Sequence, residues 1–285
     1  MGWQLRGRKA LIRAKSDPEP WGSRPGANML KITPVPAFSD NYLWIAHPEG
    51  SGHALVVDPG DAAPVLRALE AADLDLDAIL VTHHHTDHTG GVAELAAATG
   101  ARVIGPAEES LPFPCERVHG GDRVDLPSMG LEFEVIDVPG HTAGHVAYHG
   151  HGVLFCGDTL FSAGCGRLFE GSPEQMLHSL EALATLPDET RVYCAHEYTM
   201  SNLRFAMNVE PDNPDLKAWQ QEAASLRERD RPTLPTTIGR ERRLNPFLRS
   251  RSASVRRAAE ARAGRSLPTP VEVFAEVRRW KDGFR

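Results

Sequence analysis

The sequence of 285 residues lacks any apolar run long enough to cross a bilayer, which argues against a membrane partner. It also lacks an excess of positive charge, since 31 lysines and arginines stand against 38 aspartates and glutamates. The resulting formal net charge of -7 would repel a phosphate backbone, so general nucleic-acid binding is disfavoured. Internal repeats and low-complexity tracts are absent as well.

Cysteine is scarce, and none of the 4 cysteines belongs to a Cys-x-x-Cys pair. A chain of this length does not need disulfides for stability, so free thiols in a reducing compartment are expected. The cytoplasm is the location that this pattern predicts. For each cysteine, a small buried side chain is favoured over a catalytic role. The 13 histidines are the more informative feature.

Residues 1–28 lack the apolar stretch of a secretory signal. Basic side chains are scattered among proline and glycine there, and prolines interrupt any helical pattern. We expect a disordered N-terminal extension ahead of a natural start at Met29, and deleting it should leave activity intact.

From Leu30 onward, short apolar runs alternate with helical patterns, which is typical of a layered α/β domain. The runs that predict strands cover residues 55–57, 79–81, 103–105, 131–138, 153–156 and 192–194. The patterns that predict helices cover residues 62–72 and 92–98, and Ser172 opens a third helix with a capping box.

After His196 the strand patterns end and helical patterns follow one another. The predicted helices cover residues 201–209, 214–229, 252–263 and 270–281. We therefore expect a catalytic α/β domain over residues 29–199 and a smaller helical domain over residues 200–285.

Four candidate metal ligands lie in one short loop after the predicted strand 79–81. They are His83, His85, Asp87 and His88. In an extended loop, His83 and His85 project to the same side, whereas Asp87 and His88 lie where the chain turns into the next helix. Two separate metal positions are therefore expected.

Three further candidates, His141, Asp158 and His196, each follow the end of another predicted strand. The carboxyl ends of strands in an open α/β sheet meet at the edge where ligands bind. Imidazoles and carboxylates suit Zn²⁺, Fe²⁺ or Mn²⁺, and no thiolate cluster indicates a purely structural site. The sequence thus predicts an open catalytic metal site.

Three nearby residues are assigned less direct roles. His84 and His145 are expected to support the ligands rather than bind metal. Asp58 follows another predicted strand and could orient a ligand histidine, but a turn-forming role is favoured. Asp58 is therefore left out of the catalytic set.

The His-x-His-x-Asp-His string, with a Pro-Gly-His and an Asp after a strand, resembles the metallo-β-lactamase superfamily. Longer strings resemble its glyoxalase II family, and they cover residues 36–42, 82–88, 139–145, 157–161, 163–167 and 196–199. The resemblance runs from about Met29 to Phe284. It implies an α/β fold, namely the αββα sandwich with a smaller C-terminal α-helical domain.

The resemblance implies two divalent metal ions per chain, with Zn²⁺ expected and Fe²⁺ or Mn²⁺ as alternatives. One ion would be held by His83, His85 and His141, the other by Asp87, His88 and His196, with Asp158 between them. A bridging hydroxide would attack a thioester carbon, so that Asp87 and Asp158 count as catalytic residues because they hold the metals.

The implied substrate is an S-(2-hydroxyacyl)glutathione, chiefly S-D-lactoylglutathione, whose hydrolysis is the second step of methylglyoxal detoxification. The implied glutathione-binding residues are Arg167, Phe169, Tyr198, Arg278 and Lys281. Phe169 stands where some members carry tyrosine, so one hydroxyl contact is lost. Arg278 and Lys281 lie one helical turn apart, so both are expected to face one carboxylate. The chain is expected to act as a monomer.

Three other functions remain open. A glutathione persulfide dioxygenase would use one iron and fewer ligands, and Arg278 and Lys281 argue against it. A metallo-RNase would need a basic groove, which the net charge does not suggest. A non-catalytic metal-binding module would need coordination closed to water.

Overall fold

The computed structural model describes residues 30–284, and two six-stranded sheets form its centre. The extension expected at residues 1–28 lies outside the described residues. The first sheet contains β1 (Leu30–Ala37), β2 (Asn41–Pro48), β3 (His53–Val57), β4 (Asp75–Leu80), β5 (Arg102–Pro106) and β6 (Glu116–Val118). Strands β1 to β3 pair antiparallel, and β3 to β6 pair parallel.

The second sheet has the order β14-β13-β10-β9-β8-β7. Its strands are β7 (Arg123–Leu126), β8 (Leu131–Asp137), β9 (Val146–Gly150), β10 (Val153–Gly157), β13 (Arg191–Cys194) and β14 (Thr236–Thr237). A separate hairpin joins β11 (Leu160–Phe161) to β12 (Gly164–Cys165). Only β10 and β13 pair parallel within this second sheet.

Nine helices lie within the described residues. They are α1 (Ala62–Ala72), α2 (Thr86–Thr89), α3 (Val92–Thr99), α4 (Pro173–Leu183), α5 (Thr199–Val209), α6 (Pro214–Arg227), α7 (Ile238–Leu244), α8 (Ala253–Ala263) and α9 (Pro270–Asp282). None of them combines the length and the apolar character that a membrane span requires.

The main core lies between the sheets, because it joins Leu55 and Leu80 of the first sheet to Phe133 and Phe155 of the second. The alternate residues of β3 and β4 pack on the opposite face against α1 and α3. Both faces of these strands are therefore covered, which explains why their sequences read as continuous apolar runs. The layers agree with the expected α/β sandwich.

Capping residues define several helix ends, and the capping box predicted at Ser172 is present. Ser172 and Gln175 form the capping box of α4, and Gly100 and Gly264 close α3 and α8 in the left-handed region. A glycine reaches that region without steric cost. Helix α1 has the bounds that the periodicity predicts.

The segment after His196 is mainly helical, as expected, but it also contains one short strand. Strand β14 pairs with β13 and forms an edge of the second sheet, and α7 follows it directly. Two residues are too short to give an alternating pattern, so pairing with β13 rather than local propensity defines this strand. Helices α8 and α9 pack on the main core through Val255 and Phe274.

Candidate metal centre

The candidate ligands lie at one edge of the sandwich, where strands of both sheets end. His83, His85, Asp87 and His88 follow β4 of the first sheet. The second sheet contributes His141 after β8, Asp158 after β10 and His196 after β13. Segments far apart in sequence therefore meet at one place.

The first group of side chains consists of His83, His85 and His141. Nδ1 of His85 lies 3.0 Å from Nε2 of His83 and 3.1 Å from Nε2 of His141. Burial lowers the pKa of all three rings, so the neutral form is favoured. Nδ1 of His141 donates to the carbonyl oxygen of Arg167 at 2.9 Å, which leaves its Nε2 as the lone-pair atom.

The second group consists of Asp87, His88 and His196. Oδ2 of Asp87 lies 3.4 Å from Nε2 of His88 and 3.5 Å from Nε2 of His196. Burial disfavours a charged ring at His88, yet Asp158, Asp58 and Asp87 outweigh it and raise the pKa of His88. This part of the pocket therefore favours positive charge.

Asp158 lies between the two groups. Its Oδ1 is 3.3 Å from Nε2 of His196 and 3.6 Å from Nε2 of His88, and its Oδ2 is 3.3 Å from Nε2 of His141. Burial opposes ionisation, but His88, His196 and His141 together lower the pKa of the Asp158 carboxyl. A buried carboxylate thus faces both groups at once.

Two atoms of this centre lack a partner among the described residues. Nε2 of His88 and Oδ1 of Asp158 are buried and make no hydrogen bond. Leaving buried polar atoms unpaired is costly, and such atoms call for an explanation. Divalent cations fit this donor set, because imidazole nitrogens and carboxylate oxygens converge on two neighbouring points. The edge therefore has the composition of a dinuclear divalent metal site.

Polar residues of the β1–β2 turn hold the second group in place. Oδ1 of Asp40 lies 2.7 Å from Nδ1 of His196, and Nδ2 of Asn41 donates to Oδ2 of Asp87 at 3.0 Å. Neither residue is among the ligands that the sequence predicts. Their position in the string 36–42 was the only available signal, because the contact with His196 spans more than 150 residues.

Asp58 belongs to the site, although the sequence favours a role in a turn alone. Its backbone does turn, with φ of 51°. Its carboxylate also accepts hydrogen bonds from the backbone N–H and the hydroxyl of Thr82 at 2.7 and 2.8 Å, and lies 3.1 Å from Nδ1 of His88. Asp58 therefore orients the ring of His88, as carboxylates commonly do beside metal-binding histidines.

His145 supports the centre, as expected. Its ring stacks on His83 with centroids 4.6 Å apart, and its Nε2 accepts from the backbone N–H of Asp158 at 3.2 Å. Burial lowers the pKa of His145, so a neutral ring with an acceptor nitrogen is favoured. His84 contacts the carboxylate of Glu109 through its Nδ1.

Three of the predicted glutathione-binding residues border the metal centre. The ring of Tyr198 stacks on His196 with centroids 4.7 Å apart. Phe169 is 62% exposed, and its ring centroid lies 5.2 Å from that of His141. Arg167 is exposed and joins the centre through its carbonyl oxygen.

Arg278 and Lys281 lie on the same helix, α9, but differ in their surroundings. Arg278 is only 4% exposed, and its guanidinium donates to the carbonyl oxygen of Cys165 and to Asp282, both at 2.9 Å. Nζ of Lys281 lies 3.3 Å from Oγ of Ser201 and remains partly exposed. In this structure Arg278 braces the segment before Arg167.

Two families match consecutive parts of the chain. The metallo-beta-lactamase superfamily matches residues 36–196, and the hydroxyacylglutathione hydrolase C-terminus matches residues 197–284. Curated hydroxyacylglutathione hydrolases of Albidiferax ferrireducens and Pseudomonas aeruginosa are 58% and 56% identical to this chain over 260 residues. Each alignment covers 90% of this chain and 100% of the relative.

Solved structures with the same fold are more distant in sequence. ETHE1 from Myxococcus xanthus superimposes with a TM-score of 0.60 at 26% identity, covering 88% of this chain and 97% of that one. TTHA1623, solved in a di-iron-bound form, gives a TM-score of 0.56 at 28% identity and covers 76% of this chain and 100% of its own.

Proposed function

This chain belongs to the hydroxyacylglutathione hydrolases of the metallo-β-lactamase superfamily, and on that premise we propose how its metal centre hydrolyses glutathione thioesters. The preferred substrate is S-D-lactoylglutathione, which yields glutathione and D-lactate. One observation carries this proposal. His196 contacts both the buried carboxylate of Asp158, which faces the two groups, and the ring of Tyr198, a predicted glutathione-binding residue.

We assign His83, His85 and His141 to one metal ion and Asp87, His88 and His196 to the other, with Asp158 shared. Zn²⁺ is the proposed metal, and Fe²⁺ or Mn²⁺ would accept the same ligands. When bound, the two divalent cations would supply a water of lowered pKa and would polarise the thioester carbonyl.

The chain's own residues prepare the site for this chemistry. Burial keeps His83, His85 and His141 neutral, so their lone pairs are available. Asp40 and Asp58 orient the rings of His196 and His88 through contacts with the Nδ1 atom of each ring. Hydrolysis breaks the C–S bond, and a thiol of pKa about 8.5 leaves readily as thiolate. The reaction therefore needs no dedicated general acid.

We propose that Arg167 and Lys281 attract the carboxylates of glutathione, while Tyr198 and Phe169 border the thioester. Arg278 acts on this pocket by holding the carbonyl oxygens of residues 165–166, directly before Arg167. The catalytic domain would then comprise residues 29–199 and the glutathione-binding helical domain residues 200–285. A boundary near this point is supported by the start of helix α5 at Thr199 and by the hydroxyacylglutathione hydrolase C-terminus, which matches from residue 197.

The state of Lys281 predicts a pH-dependent KM. Burial, together with Arg278, Arg204 and Arg167, lowers the pKa of Lys281 to about 8. The ammonium loses its charge as the pH rises through that value, so KM for the glutathione thioester should rise above about pH 8 while kcat changes less. Initial rates over a range of substrate concentrations, from about pH 6.5 to 9.5, measure both constants.

The matched control for this experiment is Lys281→Arg, because arginine keeps its charge throughout the range. The amine of glutathione titrates in both enzymes and cancels in the comparison. A rise in KM that is the same in parent and Lys281→Arg would contradict the assignment of Lys281.

The wider setting is proposed from the same features. All 4 cysteines are free, which is consistent with a reducing compartment such as the cytoplasm. Methylglyoxal detoxification is the process in which lactoylglutathione is hydrolysed. We further propose a monomer whose only partner is the small-molecule thioester, without nucleic acid or membrane, and light scattering on the purified protein measures its mass.

The function is tested by initial-rate hydrolysis of S-D-lactoylglutathione with metal-replete protein. A matched lactoyl thioester without the γ-glutamyl and glycyl groups is the control substrate. We expect strong preference for the glutathione thioester, because Arg167 and Lys281 have no carboxylates to bind in the control.

Oxygen uptake with glutathione persulfide should be measured beside it, because the fold is shared with ETHE1. Oxygen consumption without thioester turnover would contradict the proposed hydrolase activity and would indicate a dioxygenase.

A further inference from the structure

Glu109 is a buried carboxylate beside the metal centre to which the assignments above give no role. It follows β5 by a few residues, and its side chain is 2% exposed. Oε1 accepts hydrogen bonds from the hydroxyl of Thr142 at 2.5 Å and from the backbone N–H of Gly144 at 3.0 Å. Oε2 contacts Nδ1 of His84.

These contacts connect two loops that carry candidate metal ligands. His84 lies between His83 and His85 in the loop after β4, whereas Thr142 follows His141 in the loop after β8. The two loops leave different sheets, so no strand pairing fixes one against the other. A backbone hydrogen bond from Val146 to the carbonyl oxygen of Thr82, 3.0 Å long, joins the two loops at their bases. The carboxylate of Glu109 bonds to both loops a second time, and it therefore helps to set the distance between His83 and His85 on one side and His141 on the other.

Glu109 is itself held firmly. The guanidinium of Arg117 donates to the carbonyl oxygens of Glu109 and Pro106 at 2.8 and 3.0 Å. A Cβ atom at Gly144 would lie only 2.7 Å from the carbonyl carbon of Glu108, so this loop packs directly against the segment that carries Glu109. The carboxylate consequently has little freedom to follow a loop that shifts.

We propose that Glu109 is a positioning residue that aligns His83, His85 and His141 for metal binding. The inference rests on the ligand assignment proposed above but does not depend on the substrate or the reaction. Glu109 has no contact with Asp87, His88 or His196 among its hydrogen bonds and ion pairs. Its removal should therefore weaken one of the two metal positions selectively.

The test is the stepwise binding of Co²⁺ or Zn²⁺ to metal-free protein in competition with a chromophoric chelator. For Glu109→Gln, we expect affinity at one position to fall about tenfold to a hundredfold, as is typical when a residue supporting metal ligands is lost. Affinity at the other position should stay within about twofold of the parent, and the Co²⁺ absorption spectrum should change for one ion only.

Glu108→Gln is the matched control, because the Glu108 side chain is 76% exposed and, within residues 30–284, its only ion pair is with His119 at 3.7 Å. If Glu109→Gln does not fold, Thr142→Val replaces it as the test variant. That substitution removes a single hydroxyl and should lower metal affinity at the same position by a smaller factor. Parent-like affinities at both positions, or an equal loss at both, would overturn the proposal. Failure of thioester turnover alone would leave it standing, because the readout contains no substrate.

Discussion

Asp158→Asn should lower kcat/KM for S-D-lactoylglutathione by on the order of 10³-fold or more and reduce the metal content below two ions per chain. The substitution keeps the shape of the side chain but removes the charge that faces His88, His141 and His196. An amide offers only one acceptor oxygen, so it cannot serve both groups at once. Initial rates and elemental analysis of the purified variant measure the two effects.

Asp77→Asn is the matched control for this substitution. Oδ1 of Asp77 also lies 3.0 Å from a histidine nitrogen, that of His53, but the pair stands at the opposite end of the strands that lead into the centre. Activity and metal content should remain those of the parent. An Asp158→Asn enzyme with two bound ions and parental kcat/KM would remove Asp158 from the site.

Removing the metals should abolish activity and also lower the melting temperature by roughly 10 °C. Without cations, Nε2 of His88 and Oδ1 of Asp158 remain buried and unpaired. A ligand present at about 1,000 times its Kd stabilises the folded state by about 4 kcal/mol, and each kcal/mol shifts the melting temperature of a chain this size by about 2–4 °C. Thermal unfolding before and after chelator treatment gives the shift.

Returning metals to the stripped protein provides the control. Zn²⁺, Fe²⁺ and Mn²⁺ should each restore stability, whereas Mg²⁺ should not, because it prefers an oxygen-only shell. Unchanged stability after verified metal loss would mean that the two groups are preorganised without cations, and full activity in metal-free protein would refute the metal-dependent mechanism.

The candidate ligands could be predicted because the pattern is local. His83 and His85 lie in the loop after β4, and the short helix α2 that follows carries Asp87 and His88. Each of the other three candidates follows a recognisable apolar strand. Convergence at the carboxyl ends of strands is a general property of α/β folds, so even the meeting place could be inferred. Helix α1 and the capping box of α4 could be predicted for the same reason, because the sequence patterns that indicate them span only a few residues.

The residues around the ligands could not be predicted in this way. Asp40 reaches His196 across more than 150 residues, and Glu109 joins loops from two different sheets. The burial of Arg278, which the helical spacing alone did not reveal, likewise depends on the packing of α9 against residues 165–166.

By itself, the sequence determined the layered α/β class, the ligand types and the strand ends that present them, because hydrophobic periodicity and short motifs act over a few residues. Only the tertiary structure decided which carboxylates orient which histidine rings. It also decided which basic side chains, such as Lys281 rather than Arg278, remain exposed to the pocket. These choices depend on distances between segments remote in sequence, and close packing fixes such distances only once the whole chain has folded.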